Sequence, residues 1–270
     1  NAIEDLKAVP HMDLEEATNK GLYQSIGSEV LDAFLKEVRK QSLYEEPSNI
    51  KIVYTPLHGT GNIPVRKILE GMNISVVKEQ ELPDGNFPTC PYPNPEIKQV
   101  FECAIKMTEH EKADLLLATD PDCDRVGIAV LNGGEYKLMT GNEVGVLLAE
   151  YLLSRRKELG ILPKNAVVVA VAAKYGVSVK KLLTGFKYIG EYITELEAKG
   201  EADRFVIGME ESYGYLSGIH ARDKDAVVAS TLICEMAAYY KAKGISLYEK
   251  MQEIYKEHGY YLNRVISFEF

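Results

Sequence analysis

Residues 118–127, ATDPDCDRVG, set Asp120, Asp122 and Asp124 at every second position, with Arg125 directly behind them and the apolar run ADLLLA in front. Three carboxylates this close repel one another unless a cation sits among them. Hard oxygen donors at this spacing suit Mg2+, which keeps coordination positions for water or phosphate oxygens. Arg125 adds a fixed positive charge, and a metal with an arginine is the equipment that stabilises a transferring phosphoryl group. The plainer alternative is a turn stiffened by Pro121, whose aspartates cap backbone groups and pair with Arg125. A calcium loop of the EF-hand kind is excluded. Counted from Asp120, it needs Gly at the sixth position and acid at the twelfth, where the chain has Arg125 and Leu131.

The elements that must hold these residues can be read from periodicity. SEVLDAFLKEVRK (28–40) has its apolar residues at helical spacing, with Ser28 as expected N-cap. IKIVYTP (50–56) reads as a strand, LHGTGN as a glycine-bearing turn and IPVRKILEG (63–71) as a helix with proline in its first turn. ISVVKEQ (74–80) reads as the next strand. Residues 82–96 carry five prolines and exclude regular structure. A helix is expected over 95–110, then strand ADLLLAT, the aspartate loop, strand VGIAVL, and an NGG hairpin turn into EYKLMT. GNEVGVLLAEYLLSRRKELG (141–160) predicts a helix capped by Asn142.

A second unit begins near Leu162. It has expected strands at NAVVVAVA, 177–183 and 204–209, and a helix ending at Gly200. A helix apolar almost all round follows in DKDAVVASTLICEMAAYYKAKG. Ser246 and Glu249 form a capping box for one more helix, and YYLNRVISFEF predicts a final strand. Alternating strands and helices predict two consecutive α/β domains with mixed, largely parallel sheets flanked by helices, divided at about residue 160 into 1–160 and 161–270. Both acidic loops, 120–124 and 210–211, follow expected strands, where open α/β sheets bind their ligands.

The 270 residues are 46% hydrophobic, enough for a sizeable core, and carry a net charge of −9 with Lys and Arg scattered. A nucleic-acid or anionic-membrane surface is therefore not expected. Cys90, Cys103, Cys123 and Cys234 show no CxxC spacing and fit free thiols in a reducing cytoplasm. The chain starts NAIEDL, without Met, and is expected to be processed, trimmed or part of a longer protein.

TDPDCDR resembles the metal-binding loop of the α-D-phosphohexomutases, the phosphoglucomutase and phosphomannomutase superfamily. GMEESYGYLSG resembles that family's sugar-binding loop. YTPLHGTGN, PDGNFPTCPYPNPE, LTGFKYIGE and RDKDAVVAS match in the same order, and TGFK resembles the phosphoglucomutase and phosphopentomutase branch. The resemblance covers roughly residues 20 to 270 and implies the family's second and third domains.

It further implies a parent enzyme that interconverts glucose 1-phosphate and glucose 6-phosphate through a phosphoserine, with Mg2+ and glucose 1,6-bisphosphate as primer. Asp120, Asp122 and Asp124 would hold Mg2+ and Arg125 would sit by the phosphoryl group. Glu210 and Ser212 would bond the sugar hydroxyls, a pair that suits a sugar bound in two orientations. Lys187 would offer a cation to the hexose phosphate. No SHNP serine loop occurs in the chain, so the N-terminal serine-bearing domain and the C-terminal phosphate-binding domain are expected as partners, and this chain alone is expected to be inactive. His58 is expected only to brace its turn. Cys123 stands where the family has Ala or Gly, and a thiolate is a poor Mg2+ ligand.

One departure lies near residues 166–176. The family has a turn and most of a helix before KYGV, which includes a substrate-contacting lysine. Here only Ala172–Gly176 separate two expected strands, and a parallel crossover needs about a dozen residues. Either the connection is antiparallel or residues are lacking near Val169–Ala172; a gap is expected, with consecutive Cα atoms well beyond the ~3.8 Å of a trans peptide. The other sugars of the family, mannose and pentose phosphates, remain alternatives. So do a Mg2+-dependent haloacid dehalogenase-like phosphatase, whose motif normally has Thr or Val where Asp124 stands, and a non-catalytic sugar-phosphate-binding module.

Overall fold

Leu115–Thr119 is buried at every position rather than at alternate ones, the mark of a central strand covered on both faces. In the computed structural model, which describes residues 10–44, 46, 49–109, 112–169 and 177–261, this segment is strand β3 of a five-stranded sheet. The sheet order is β2 (Asn73–Val76), β1 (Lys51–Thr55), β3, β4 (Val126–Asn132), β5 (Glu135–Leu138). β1 runs parallel to both neighbours, and β3–β4 and β4–β5 are antiparallel. Gly133 and Gly134 close the expected hairpin with φ of 59° and 94°, the left-handed pair that a two-residue turn of this twist requires.

A four-stranded sheet follows, in the order β7 (Ser178–Val179), β6 (Val167–Val169), β8 (Phe205–Met209), β9 (Tyr215–Leu216). β6 is parallel to β7 and β8, and β9 is antiparallel to β8. The architecture is therefore α/β with two mixed sheets, as the alternating pattern predicts.

The described residues fall into two compact units, one up to Phe34 and one from Leu35 onward. The first holds α1 (Leu14–Asn19), capped by the Asp13 carboxylate, and the opening turns of α2 (Ser28–Arg39). The second holds both sheets with α3 (Asn62–Ile68), α4 (Glu102–Met107), α5 (Gly141–Glu158), α6 (Phe186–Ala198), α7 (Ala226–Ala242) and α8 (Leu247–His258). Val53, Leu57, Val77, Val100, Phe101 and Leu116 are among the buried residues packed on one side of the first sheet. Every residue of α7 from Ala226 to Tyr240 is buried, as its all-round apolar sequence demands. Tyr151 of α5 meets Tyr239 and Tyr240 of α7 with ring centroids 5.6 and 6.4 Å apart, and the Arg155 guanidinium lies over Tyr239. No helix among the described residues is long and apolar enough to cross a membrane.

Several boundaries differ from expectation. The expected 95–110 helix is a 3-10 turn, Lys98–Phe101, followed by the short α4. β2 stops at Val76 and turns into a 3-10 segment, Lys78–Gln80, and the strand expected over 177–183 shrinks to Ser178–Val179. The cap of α5 is Thr140 rather than Asn142. Its hydroxyl accepts from the Glu143 amide at 3.2 Å, and Glu143 accepts from the Thr140 amide at 2.8 Å. The β6–β7 pairing is parallel, Val167 opposite Ser178, so an antiparallel connection is ruled out. The gap expected near Val169–Ala172 falls at the edge of 170–176, which lies outside the described residues, as does most of the final expected strand, 262–270. The capping box of α8, Ser246 with Glu249, forms as read.

Loss of a capping hydroxyl costs about 1 kcal/mol. Thr140→Ala is expected to lower the thermal midpoint by a few degrees and Asn142→Ala to leave it nearly unchanged. Denaturation curves of the two variants check which residue caps α5.

Candidate functional site

The aspartate loop begins where β3 ends. Asp120 is buried, 8% exposed, and its Oδ1 accepts two backbone N–H bonds, from Asp124 at 3.0 Å and Arg125 at 2.8 Å. The Cys123 amide donates to the Asp120 carbonyl at 3.0 Å. This folding-back turns Asp122 and Asp124 beside Asp120. One carboxylate oxygen from each of the three lies within 4.8 Å of the others, with no cysteine or histidine in the group. Burial, and then the charges of Asp124 and Asp122, push the Asp120 carboxyl up to about 7, against the pull of the Arg125 amide. Cys123 sits at φ 59°, a left-handed conformation uncommon for a residue with a side chain, and burial pushes its thiol well up.

A platform under this loop comes from LHGTG. The Thr60 amide and hydroxyl both donate to the Pro121 carbonyl, at 2.8 and 3.1 Å. A Cβ on Gly59 would lie 2.5 Å from Pro121 Cα, and one on Gly61 would lie 2.8 Å from Cys123 Sγ and 2.7 Å from Thr119 Oγ1. Only glycine permits this approach. His58, expected to brace its own turn, instead ties that turn to the neighbouring irregular segment, with Nδ1 on the Leu82 carbonyl and Nε2 on the Thr89 hydroxyl, both at 3.0 Å. Local patterning marks LHGTG as a turn. Its role as platform depends on contacts sixty residues away.

The second acidic loop leaves β8 and returns as β9. Glu210 is half-buried and accepts from the Gly185 amide at 2.9 Å, which ties it to the start of α6. Ser212 is half-buried on the same loop. Lys187 is exposed in the first turn of α6, with its ammonium 5.0 Å from the ring centre of Tyr188. The two acidic loops meet through backbone. Arg125 and Gly214 form an antiparallel bridge, and the Val126 amide donates to the Tyr213 carbonyl at 3.1 Å. The Ala226 amide donates to the Cys123 carbonyl at 3.1 Å. Arg125 lies between Glu96 and Asp124, at 3.7 and 3.8 Å.

The structure thus gathers Asp120, Asp122, Asp124 and Arg125 against the loop that carries Glu210 and Ser212. Lys187 belongs to the neighbouring helix, and its ammonium rests over its own neighbour's ring. Sequence reasoning missed Lys224, whose ammonium is 2.8 Å from Asp124 Oδ2. RDKDAVVAS is a visible motif, but nothing local in it points to the aspartate loop. The carboxylate group, all hard oxygen, fits a divalent cation such as Mg2+, and an ammonium already rests on one of its members.

Residues 32–133 match the family model for phosphoglucomutase/phosphomannomutase, alpha/beta/alpha domain II, and residues 140–258 match that for domain III. The chain belongs to the phosphoglucomutase/phosphomannomutase family. It is 36% identical over 252 residues to the phosphoglucomutase of Staphylococcus haemolyticus, over 88% of this chain and 45% of that protein. The chain spans less than half the length of the first curated relatives it matches. Among solved structures, a Thermus thermophilus protein described as a phosphomannomutase shares the fold with a TM-score of 0.65 at 24% identity, covering 87% of this chain and 52% of that one. The Aspergillus fumigatus N-acetylphosphoglucosamine mutase in complex with GlcNAc-6P and magnesium shares it with a TM-score of 0.54 at 15% identity, covering 82% and 52%.

Because folding raises the Asp120 pKa from 3.8 to about 7, the unfolded chain loses that proton first. The cost to stability grows as pH rises from about 4 to 7 and is complete above that. In chelator, Asp120→Asn is expected to melt higher than the wild type at pH 8, with the advantage shrinking towards pH 4. Equal differences at both pH values would show that burial of this charge does not shape the loop.

Proposed function

We propose that this chain is the central part of a phosphosugar mutase that interconverts glucose 1-phosphate and glucose 6-phosphate. The observation that carries the reading is the backbone junction of the two acidic loops. The Arg125–Gly214 bridge joins three clustered carboxylates to a loop bearing a half-buried glutamate and serine. A phosphosugar needs both halves, an acidic cradle for a cation that faces phosphate and hydroxyl partners that hold the ring.

In this reading Asp120, Asp122 and Asp124 hold Mg2+. When bound, Mg2+ supplies charge stabilisation at the transferring phosphoryl group. Arg125 stays beside it as a fixed cation. Glu210 accepts from two sugar hydroxyls while Ser212 donates or accepts, and Lys187 offers a cation to the substrate. The phosphoserine and the distal phosphate site come from parts of the parent protein outside this chain, and glucose 1,6-bisphosphate primes that serine. The name of the staphylococcal relatives supports the glucose phosphates, and the magnesium and GlcNAc-6P held by the Aspergillus mutase fit the same chemistry. In this reading the domain division falls before α5, between the stretches that match the domain II and domain III models. A phosphatase using Asp120 as nucleophile is disfavoured. That carboxylate is buried, and its Oδ1 already accepts two amides.

Joining or mixing this chain with the serine-bearing and phosphate-binding domains tests the proposal. Mutase activity is expected with Mg2+ and the bisphosphate primer, lost on chelation. In that assembly Asp122→Asn is expected to lower it by roughly two orders of magnitude or more. An inactive but well-folded assembly, or phosphate release by this chain alone through an aspartyl-phosphate, would overturn it.

A further inference from the structure

Lys224 is the one side chain that reaches from the segment before α7 into the aspartate loop as an ion pair among the described residues. Its Nζ lies 2.8 Å from Asp124 Oδ2 and 3.2 Å from Asp223 Oδ1. The two carboxylates differ in setting. Asp124 is 26% exposed and Asp223 72%, while the Lys224 side chain itself is only 14% exposed. The pair with Asp124 is therefore the shielded one, less screened by water and salt.

The surroundings are shaped to carry this lysine. A Cβ on Gly214 would lie 2.1 Å from Lys224 Cδ and 2.7 Å from its Cγ, so the bare glycine leaves a lane for the aliphatic stem. The ring of Phe186 lies 5.8 Å from the ammonium, within the range in which an aromatic face attracts a cation. The backbone beyond it is pinned, with the Asp225 amide on the Tyr215 carbonyl at 2.9 Å and the Ala226 amide on the Cys123 carbonyl. Asp225 also caps α7. Lys224 thus starts from a fixed point, runs over Gly214 and ends on Asp124.

We propose that Lys224 is an internal counter-ion of the aspartate loop, which competes with the divalent cation for Asp124 and so sets its affinity. The inference rests on the metal reading given above. Without metal, the ammonium offsets part of the repulsion among three carboxylates and keeps Asp124 turned inward. A divalent cation that enters must take Asp124 from this partner or share it, with two positive centres brought close together. Lys224 is a positioning residue in this role, acting through Asp124.

The test is binding of Mn2+ by this chain, followed by the loss of the free-ion paramagnetic resonance signal. Lys224→Met is expected to bind Mn2+ about tenfold or more tightly than the wild type. Lys224→Gln, which keeps a donor without the charge, should follow it. Lys224→Arg should stay near the wild type, and so should Asp223→Asn at the exposed partner. Should Lys224→Met and Lys224→Gln bind no more tightly than the wild type, the proposal is overturned. Asp122→Asn separates the two ideas. If it binds Mn2+ as the wild type does, the loop is not the metal site and both readings fall. If it binds more weakly while the lysine variants match the wild type, only the role of Lys224 falls.

Discussion

Three carboxylates held within 4.8 Å of one another are the constraint around which this chain is organised. Left alone they would swing apart into water. The backbone prevents this by folding back, so that the innermost carboxylate accepts the amides of the residues carrying the third acid and the arginine. A left-handed Cys123 makes the turn tight enough. Charge is then offset from outside the loop, by the Lys224 ammonium directly and by Arg125 at longer range. The cluster is an arrangement imposed by the surrounding chain, and it presents a ready set of hard oxygen atoms at the tip of a buried strand.

The surrounding structure serves that imposition. From below, the glycine-bearing turn after β1 presses on Pro121 and Cys123 so closely that no side chain larger than hydrogen fits at Gly59 without movement. From the side, the loop between β8 and β9 pairs with the first residues of β4. From beyond, the first turn of α7 donates an amide to the apex of the loop. Two sheets separate in sequence thus share one backbone frame at the point where their acidic loops meet. The family to which the chain belongs places these as its domains II and III.

Much of this was legible in the residues. The uninterrupted apolar run of β3, the all-round apolar character of α7, the NGG turn and the Ser246–Glu249 capping box each depend on local pattern, and each formed as read. The acidic triad was legible because like charges at alternate positions need a reason. What escaped depends on distance in sequence. Thr140 reads as the end of a strand, and only its meeting with Glu143 makes it the cap of α5. The strand expected over 177–183 has pattern enough, but only two of its residues find a partner in β6. Thr60 reaches Pro121, and Lys224 reaches Asp124, across stretches that no periodicity can bridge.

The contact between α5 and α7 has an optical consequence. The chain has 17 tyrosines and no tryptophan, so its near-ultraviolet dichroism to the long-wavelength side of the phenylalanine bands comes from phenol rings fixed in asymmetric surroundings. Tyr44, Tyr151, Tyr239 and Tyr240 stand edge to face, with neighbouring centroids 5.2 to 6.4 Å apart. Rings at this spacing couple their transitions, which makes the helix pair around Tyr239 a built-in chromophore. Its signal reports whether the packing of the second sheet's helices is intact, without any label added.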